Sequence, residues 1–158
     1  MRKQINYNVR KGIQMPVEVR EIMSPDPVVL TVDDELSLAH DIMSLGRIRH
    51  LPVVEGSKLV GIISQRDLFR ASLASVLGDD YDKNREHLKS IKIREIMVKN
   101  VISVSPGMSL QEAGRIMLKE KIGCLPVVED EKLVGLITET DLLSFLIDHI
   151  LPFYEKSN

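Results

Sequence analysis

The chain lacks the features that mark secreted and membrane-spanning proteins. Its 158 residues include a single cysteine, Cys124, which excludes an intramolecular disulfide and a metal site built from cysteines. A reducing, cytoplasmic setting agrees best with this composition. No apolar run approaches the roughly 18 residues of a membrane-spanning helix, and the first residues have no apolar stretch of the signal-peptide kind. We therefore expect a cytoplasmic protein without a membrane segment.

An excess of charge of one sign is also missing. The 21 basic and 23 acidic side chains leave a net charge of −2, too close to neutral for a field that would hold nucleic acid or an anionic membrane. A nucleic-acid binder would depend on local basic residues instead: Arg2, Lys3, Arg10, Lys11, Arg47 and Arg49. Hydrophobic residues make up 44% of the chain, which is enough for a globular core.

What the chain does contain is an internal duplication. The segment LPVVE at 51–55 returns at 125–129, and KLVG at 58–61 returns at 132–135. Both pairs are 74 residues apart, and positions 19–71 share 21 of 53 residues with 93–145 without a gap. Two copies argue against a long solenoid and for two units that close on each other.

Each copy has the pattern of a β-α-β-β-α unit, since β-branched runs predict strands and apolar positions three or four apart predict helices. Copy one reads as strand 28–32, helix 36–46, strands 51–54 and 59–63, and helix 65–77. Copy two reads as strand 101–104, helix 110–117, strands 125–128 and 133–137, and a helix from about 139. This predicts an α/β fold of the α+β type, with two repeats packed about a pseudo-two-fold axis. The expected boundaries are an N-terminal segment 1–15, repeat one 16–77, a solvated linker 78–90 that turns helical near 85–89, repeat two 91–151, and a tail 152–158.

A hydroxyl residue stands three positions before an aspartate at the same place in both copies. Ser64 precedes Asp67, and Thr138 precedes Asp141. This spacing is that of a helix capping box, which needs no ligand. The same geometry suits ligand binding, because a helix N-terminus offers free N–H groups and a carboxylate one turn in can accept bonds from two ribose hydroxyls. From these residues alone, both interpretations stay open.

A basic cluster precedes the 51–54 strand in copy one only. Arg47, Arg49 and His50 form it, whereas copy two has Gly123 and Cys124 opposite the last two. The cluster is either a solvated loop or an anion site with Arg49 as a phosphate fork. His50 has no second histidine at ligand spacing, so no metal site is predicted. Cys124 is expected to be a small buried apolar side chain.

The last predicted helix has little polar surface. Its apolar residues are Leu142, Leu143, Phe145, Leu146, Ile147, Ile150, Leu151, Phe153 and Tyr154. A helix this apolar is buried on more than one side. Together with the apolar positions of 39–45, it predicts a homodimer. Burial against the other copy is the alternative.

These features resemble a tandem pair of CBS (cystathionine β-synthase) domains, known as a Bateman module. The resemblance rests on the duplication, the LPVV strand, the LVGIIS run before Asp67 with its counterpart before Asp141, and the β-α-β-β-α order, and it covers roughly 16–150. It implies that the sheets of the two copies pack into one module and that modules pair head-to-head or head-to-tail. It also implies that the cleft between copies binds an adenine nucleotide or S-adenosylmethionine and so regulates an attached or partner protein.

The resemblance assigns roles to matching positions. It implies that Asp67 and Asp141 bind ribose and that Ser64 and Thr138 stand on the phosphate side. The remaining pocket residues it implies are Thr31 and Ser105, which close the first strands, and Ile48, Arg49, His50, Ile122, Gly123 and Cys124, which precede the prolines.

Two ligand sites follow from these assignments. One would join Ser64 and Asp67 with Ser105, Ile122 and Gly123, and the other would join Thr138 and Asp141 with Thr31, Ile48 and Arg49. The resemblance also implies that the residues just before the LPVV strand of the aspartate-bearing copy lie near the phosphates, which would place Arg49 and His50 beside the ligand held by Asp67. Because copy two has Gly123 and Cys124 at these positions, we expect unequal sites, with the Asp67 site the stronger for nucleotides.

The expected function is that of a stand-alone regulatory module. It would bind AMP, ADP or ATP as a regulatory ligand rather than a cofactor and signal to a partner protein. An enzyme is not expected, because no paired carboxylates, nucleophile triad or phosphate-cradling glycine loop stands outside the repeats. The alternatives are a sensor of S-adenosylmethionine and a purely structural dimerisation module without a bound nucleotide.

Overall fold

The order of helices and strands repeats once along the chain. The computed structural model describes residues 17–75 and 81–150. The first half runs α1 (Val19–Ile22), β1 (Ser24–Pro25), β2 (Leu30–Thr31), α2 (Leu36–Gly46), β3 (His50–Glu55), β4 (Lys58–Ser64) and α3 (Gln65–Ser75). The second runs α4 (Tyr81–Ser90), α5 (Ile93–Ile96), α6 (Leu110–Glu120), β5 (Cys124–Glu129), β6 (Lys132–Thr138), α7 (Glu139–Phe145) and a π-helical turn (Leu146–Ile150). The predicted α/β fold of two β-α-β-β-α units is confirmed.

The first strand of each unit is shorter than the sequence predicts. The predicted strand 28–32 contracts to β2, which pairs in parallel with β3, and the predicted strand 101–104 contracts to a single parallel bridge between Val104 and Val127. The physical reason is that only one side chain of each run is fully buried, although Val32 packs partly buried against the core of copy one. Leu30 is 1% exposed and Val104 is 4% exposed, whereas Val28 is 56% exposed.

The segment predicted as a solvated linker contributes to the core. The helix expected near 85–89 lies inside α4, where Glu86 and Lys89 face solvent and Leu88 is buried in the core of copy one. Leu88 is therefore a core residue within the largely polar helix α4. Residues 76–77 of the predicted second helix, 78–80 of the linker and 151–154 of the apolar tail lie outside the described residues.

Two antiparallel hairpins form most of the sheet. Strand β3 pairs with β4 so that His50 lies opposite Ser64, and β5 pairs with β6 so that Cys124 lies opposite Thr138. The hairpins meet where Lys58 pairs with Lys132, which joins them into one six-stranded sheet. The residue two positions before the proline of each unit is thereby held opposite the residue that directly precedes the following helix.

The short helix at the start of each copy packs into the core of the other copy. Val19 of α1 is fully buried in the core of copy two, and Ile93 of α5 is fully buried in the core of copy one. Strand β1 pairs with β6 through Ser24 and Leu136, and the equivalent bridge 74 residues along joins Val98 to Ile62. These reciprocal contacts reflect the pseudo-two-fold relation between the copies. The bridge between Val98 and Ile62 also places the following residues of copy two near the N-terminus of α3.

Candidate functional site

The two Ser/Thr–Asp pairs form the capping boxes that their spacing predicts. The Oδ2 atom of Asp67 accepts hydrogen bonds from the backbone N–H of Ser64 at 2.8 Å and from its hydroxyl at 2.5 Å. Asp141 and Thr138 repeat this arrangement at 2.8 and 2.7 Å. Within the described part of the chain, the Oδ1 atom of each aspartate accepts no hydrogen bond. Capping therefore occupies one oxygen and leaves the second for a ligand.

A cavity of about 800 Å³ lies next to Asp67, between the two copies. This volume is within the usual range for small-molecule sites. Copy one contributes the start of β3, the end of β4 and the first turns of α3, and copy two contributes the loop after Val98 and the chain between α6 and β5. Because both copies line it, the cavity depends on their packing against each other.

Part of the cavity lining is apolar. Its aliphatic lining residues are Ile62, Val98, Val101, Ile102 and Ile122. The bridge between Val98 and Ile62 places this loop, because the N–H of each residue donates to the carbonyl of the other at 2.9 and 3.0 Å. A flat apolar group such as a nucleobase could pack against these side chains.

Charged side chains make up another part of the lining. Its cations are Arg49, Arg66, Arg70 and Lys121, and its carboxylates are Asp67 and Glu139. The excess of two cations gives the cavity a positive potential in a chain whose net charge is −2. An anionic ligand is favoured there.

Arg49 and His50 lie where the two copies meet. The backbone carbonyl of Arg49 accepts a hydrogen bond from the N–H of Gln65 at 2.9 Å, while its guanidinium donates to the hydroxyl of Thr140 in copy two at 3.3 Å. Burial lowers the pKa of His50 below its ordinary value, and the charge of Arg49 lowers that pKa further. Asp67 and Glu139 oppose this shift in part. The imidazole at this position is consequently neutral at pH 7.

The facing wall comes from the chain after α6. Lys121 ends that helix in the left-handed region at φ 55°, and Ile122 donates its N–H to the carbonyl of Met117 at 3.1 Å. A Cβ added at Gly123 would lie 3.0 Å from Oε2 of Glu139, so glycine permits the close approach of the β6–α7 junction. Burial, with a smaller contribution from Asp141, raises the pKa of Cys124 to about 12, which keeps it a thiol.

The structure brings seven of the twelve candidate residues to this cavity: Arg49, His50, Ser64, Asp67, Ile122, Gly123 and Cys124. The other five do not line it. Thr31 is exposed on β2, Ser105 is exposed before α6, and Ile48 packs against the core of copy one. Thr138 and Asp141 stand at the equivalent position of copy two, at the start of α7. The site expected to include Ser105 instead has Val101 and Ile102.

Sequence reasoning missed several lining residues for two different reasons. Arg66 and Arg70 lie four residues apart on α3, so they share one face of that helix. That spacing was a usable signal. Residues 98–102 gave no such signal, because their approach to the cavity depends on a bridge to Ile62 in the other copy.

Residues 17–75 and 81–150 contain neither a metal-binding cluster nor a membrane-spanning helix. No group of three or more histidine, cysteine, aspartate or glutamate side chains there could hold a metal ion. In the same ranges, no helix has the length and apolar character needed to cross a bilayer.

Comparison with known proteins identifies the repeated unit. The family model described as the CBS domain matches residues 19–74 and 93–148. A CBS domain-containing protein of Dictyostelium discoideum is 31% identical over 145 residues, which cover 90% of this chain and 100% of that protein. Inosine-5'-monophosphate dehydrogenase of Korarchaeum cryptofilum is 33% identical over 141 residues, but the chain spans only 26% of its length.

Solved structures share the fold. A Vibrio cholerae protein carrying the name AcuB has a TM-score of 0.74 and 36% identity, with 91% of this chain and 99% of that chain covered. The CBS domain pair of protein MJ0100, in complex with 5'-methylthioadenosine and S-adenosyl-L-methionine, has a TM-score of 0.67 and 30% identity. Here 84% of this chain and 97% of the other are covered.

Proposed function

Because this chain belongs to the CBS domain family and carries two tandem copies of that domain, we propose that it is a regulatory module that binds an adenine nucleotide beside Asp67. The observation that carries the proposal is the cavity between the copies. It combines aliphatic side chains for the base, a free carboxylate oxygen of Asp67 for the ribose, and an excess of cations for phosphate. These are the three kinds of group that a nucleotide presents.

The similarity to MJ0100 supports the adenosine half of this ligand. That protein was crystallised with two ligands that each contain adenosine and no phosphate. The phosphate half rests on this chain's own residues, since Arg49 and the N-terminus of α3 both face the cavity. The nucleotide acts as a regulatory ligand and not as a cofactor.

The module transmits ligand binding to a partner protein and has no catalytic activity of its own. Both copies line the cavity, so a ligand that bridges them stabilises one relative placement of the repeats. Arg49 already links β3 of copy one to α7 of copy two through Thr140. A partner that contacts both copies would sense a change in this placement.

Isothermal titration with adenosine, AMP, ADP, ATP and S-adenosylmethionine tests the proposal. Asp67→Asn keeps an oxygen that can accept the capping bond from Ser64 and removes the charge, and Asp141→Asn is the matched change in copy two. We expect Asp67→Asn to weaken the tightest binding event at least about tenfold and Asp141→Asn to leave it nearly unchanged.

Three results would contradict the proposal. Absence of heat with every ligand would leave a structural module, and binding of S-adenosylmethionine alone would make the chain a sensor of that compound. Loss of the tightest event in Asp141→Asn instead of Asp67→Asn would show that the site is assigned to the wrong copy.

The module is also proposed to form a homodimer through the helices that face away from the sheet. Leu45 on α2 is 87% exposed, Leu118 on α6 is 80% exposed, and Ile147 in the π-helical turn is 50% exposed. A second copy of the chain would remove this apolar surface from water. Sedimentation should give twice the chain mass of 17.8 kDa, and Leu118→Glu should shift the equilibrium to monomer. A wild-type monomer at high micromolar concentration would overturn this assignment.

A further inference from the structure

The cavity carries more positive charge than one phosphate group requires. Arg49 lies near the Asp67 carboxylate at the junction of β3 and α3 and is suited to a phosphate attached to the ribose. Three further cations line the same cavity: Arg66, Arg70 and Lys121. Within the described ranges these three form no ion pair and no side-chain hydrogen bond. With Asp67 and Glu139 as the carboxylates of the lining, the described residues leave the cavity an excess of two positive charges.

The positions of these cations define a direction. Arg66 and Arg70 are four residues apart on α3, so they follow one face of the helix for a turn of about 5.4 Å. Asp67 lies on the same helix next to the first of them. Lys121 approaches from copy two, at the left-handed end of α6. Cations therefore line the cavity at two positions of α3 and at one position of copy two.

The fold does not need charge at three of the four cationic positions, as the second copy shows, whereas Lys121 corresponds to Arg47 of copy one. The residues 74 positions after Arg49, Arg66 and Arg70 are Gly123, Thr140 and Ser144, and none of them is charged. Copy two still forms the same capping box and the same hairpin. The three arginines are consequently a property of the Asp67 cavity and not of the repeat.

We propose that Arg66, Arg70 and Lys121 make this cavity selective for nucleotides with two or more phosphates, so that ATP and ADP bind more tightly than AMP. This inference rests on the proposed nucleotide function and names the class of nucleotide. Exposed cations each contribute less than buried ones because water screens them. Their combined effect on a triphosphate is expected to reach about tenfold to a hundredfold in affinity at low salt.

The test compares adenosine, AMP, ADP and ATP by isothermal titration in a low-salt buffer with EDTA. The variant is the double substitution Arg66→Gln and Arg70→Gln, which keeps polar side chains on α3. Its control is Arg115→Gln, which removes an exposed cation from α6, away from the cavity. In the wild type we expect affinity to rise from AMP to ATP, and ATP affinity to fall more steeply with salt than AMP affinity. The double variant should lose most of the difference between ATP and AMP, and Arg115→Gln should retain it.

The outcomes separate this inference from the proposed function. If AMP and ATP bind equally to the wild type, and Asp67→Asn weakens both, the module binds adenine nucleotides without reading phosphate number and the inference is wrong. Equal loss of AMP and ATP affinity in the double variant would also overturn it. If no adenine compound binds, the proposed function fails and the inference fails with it.

Discussion

Met97 lies directly over Gly61, across the boundary between the two copies. A Cβ added at Gly61 would be 2.5 Å from Sδ of Met97 and 3.1 Å from its Cγ. The reciprocal contact is made by Met23 of copy one, which lies over Gly135 of copy two. Its Sδ would be 2.6 Å from a Cβ added at Gly135. Packing therefore explains the glycine in the LVG sequence of β4 and of β6. In each strand, glycine leaves space for a methionine side chain of the other copy.

Alanine at either glycine should destabilise the fold. Gly61→Ala meets three side-chain atoms of Met97, so the methionine cannot simply rotate its end away, and we expect a loss of about 1–3 kcal/mol in the free energy of unfolding. Gly135→Ala should cost more, because the backbone carbonyl of Ser24 lies 3.1 Å from the added Cβ and cannot be displaced without moving β1. Urea denaturation of both variants measures the difference.

Gly114 provides the control for these substitutions. It lies within α6, and an added Cβ would meet only Cδ1 of Leu142 at 3.7 Å, an ordinary contact. Gly114→Ala should be neutral or stabilise by about 0.5–1 kcal/mol, because alanine favours the helix. Equal destabilisation by Gly61→Ala and Gly114→Ala would show that the Met97 contact is not the cause.

Local patterns were sufficient to predict the repeated hairpins and the capping boxes. The LPVV strands, the following LVG strands and the Ser64–Asp67 spacing are short-range features, and duplication displayed each of them twice. Core membership is different. Val19 belongs to the core of copy two although it opens copy one, and no periodicity within 19–25 indicates which sheet that segment joins.

The candidate site was predictable to the same extent. The β-β-α unit alone brings four of the cavity residues together, because the hairpin register places His50 opposite Ser64 and the other two are close to them in sequence: Arg49 and Asp67. The contact of Arg49 with Thr140 spans 91 residues, and the approach of 98–102 depends on the crossed-over segment. The resemblance places Ser105 in the pocket, whereas the cavity is lined by Val101 and Ile102 of the loop after Val98.

Arg49 should distinguish nucleotides from nucleosides. Its guanidinium lines the cavity, and its one hydrogen bond within residues 17–75 and 81–150 is a neutral bond to Thr140, so it can turn toward a phosphate at small cost. Arg49→Ala should weaken AMP about tenfold or more and change adenosine affinity less than about threefold, because a charge-assisted bond to phosphate is lost and the contacts to the base remain. Titration calorimetry with both ligands measures this.

The control for Arg49→Ala is Lys119→Ala, which removes an exposed cation from α6 without touching the cavity. It should leave both affinities unchanged. Equal weakening of adenosine and AMP by Arg49→Ala would mean that Arg49 supports the shape of the cavity and does not contact phosphate.

His50 should make stability depend on pH. Burial and the charge of Arg49 lower its pKa in the folded state below the ordinary value of 6.5. The unfolded chain then binds a proton more readily, so the stabilisation is complete above pH 6.5 and is lost as the pH falls through the folded-state pKa. Denaturation of the wild type between pH 7.5 and 5.5 should show a larger decrease in stability than denaturation of His50→Gln. His87→Gln, on α4 outside the cavity, should behave as the wild type.

Cys124 should be unreactive in the folded protein. It is 5% exposed, and burial together with Asp141 raises its pKa to about 12. Since the thiolate is the reactive form, alkylation with iodoacetamide at pH 8 should proceed at least about a hundredfold more slowly in the native protein than in guanidinium chloride, where the thiol regains its ordinary pKa. Because Cys124 also lines the cavity, a bound nucleotide should slow native labelling further. Rapid labelling of the native protein would mean that the cavity wall opens often enough to expose the sulfur, which is incompatible with a preformed site between the two copies.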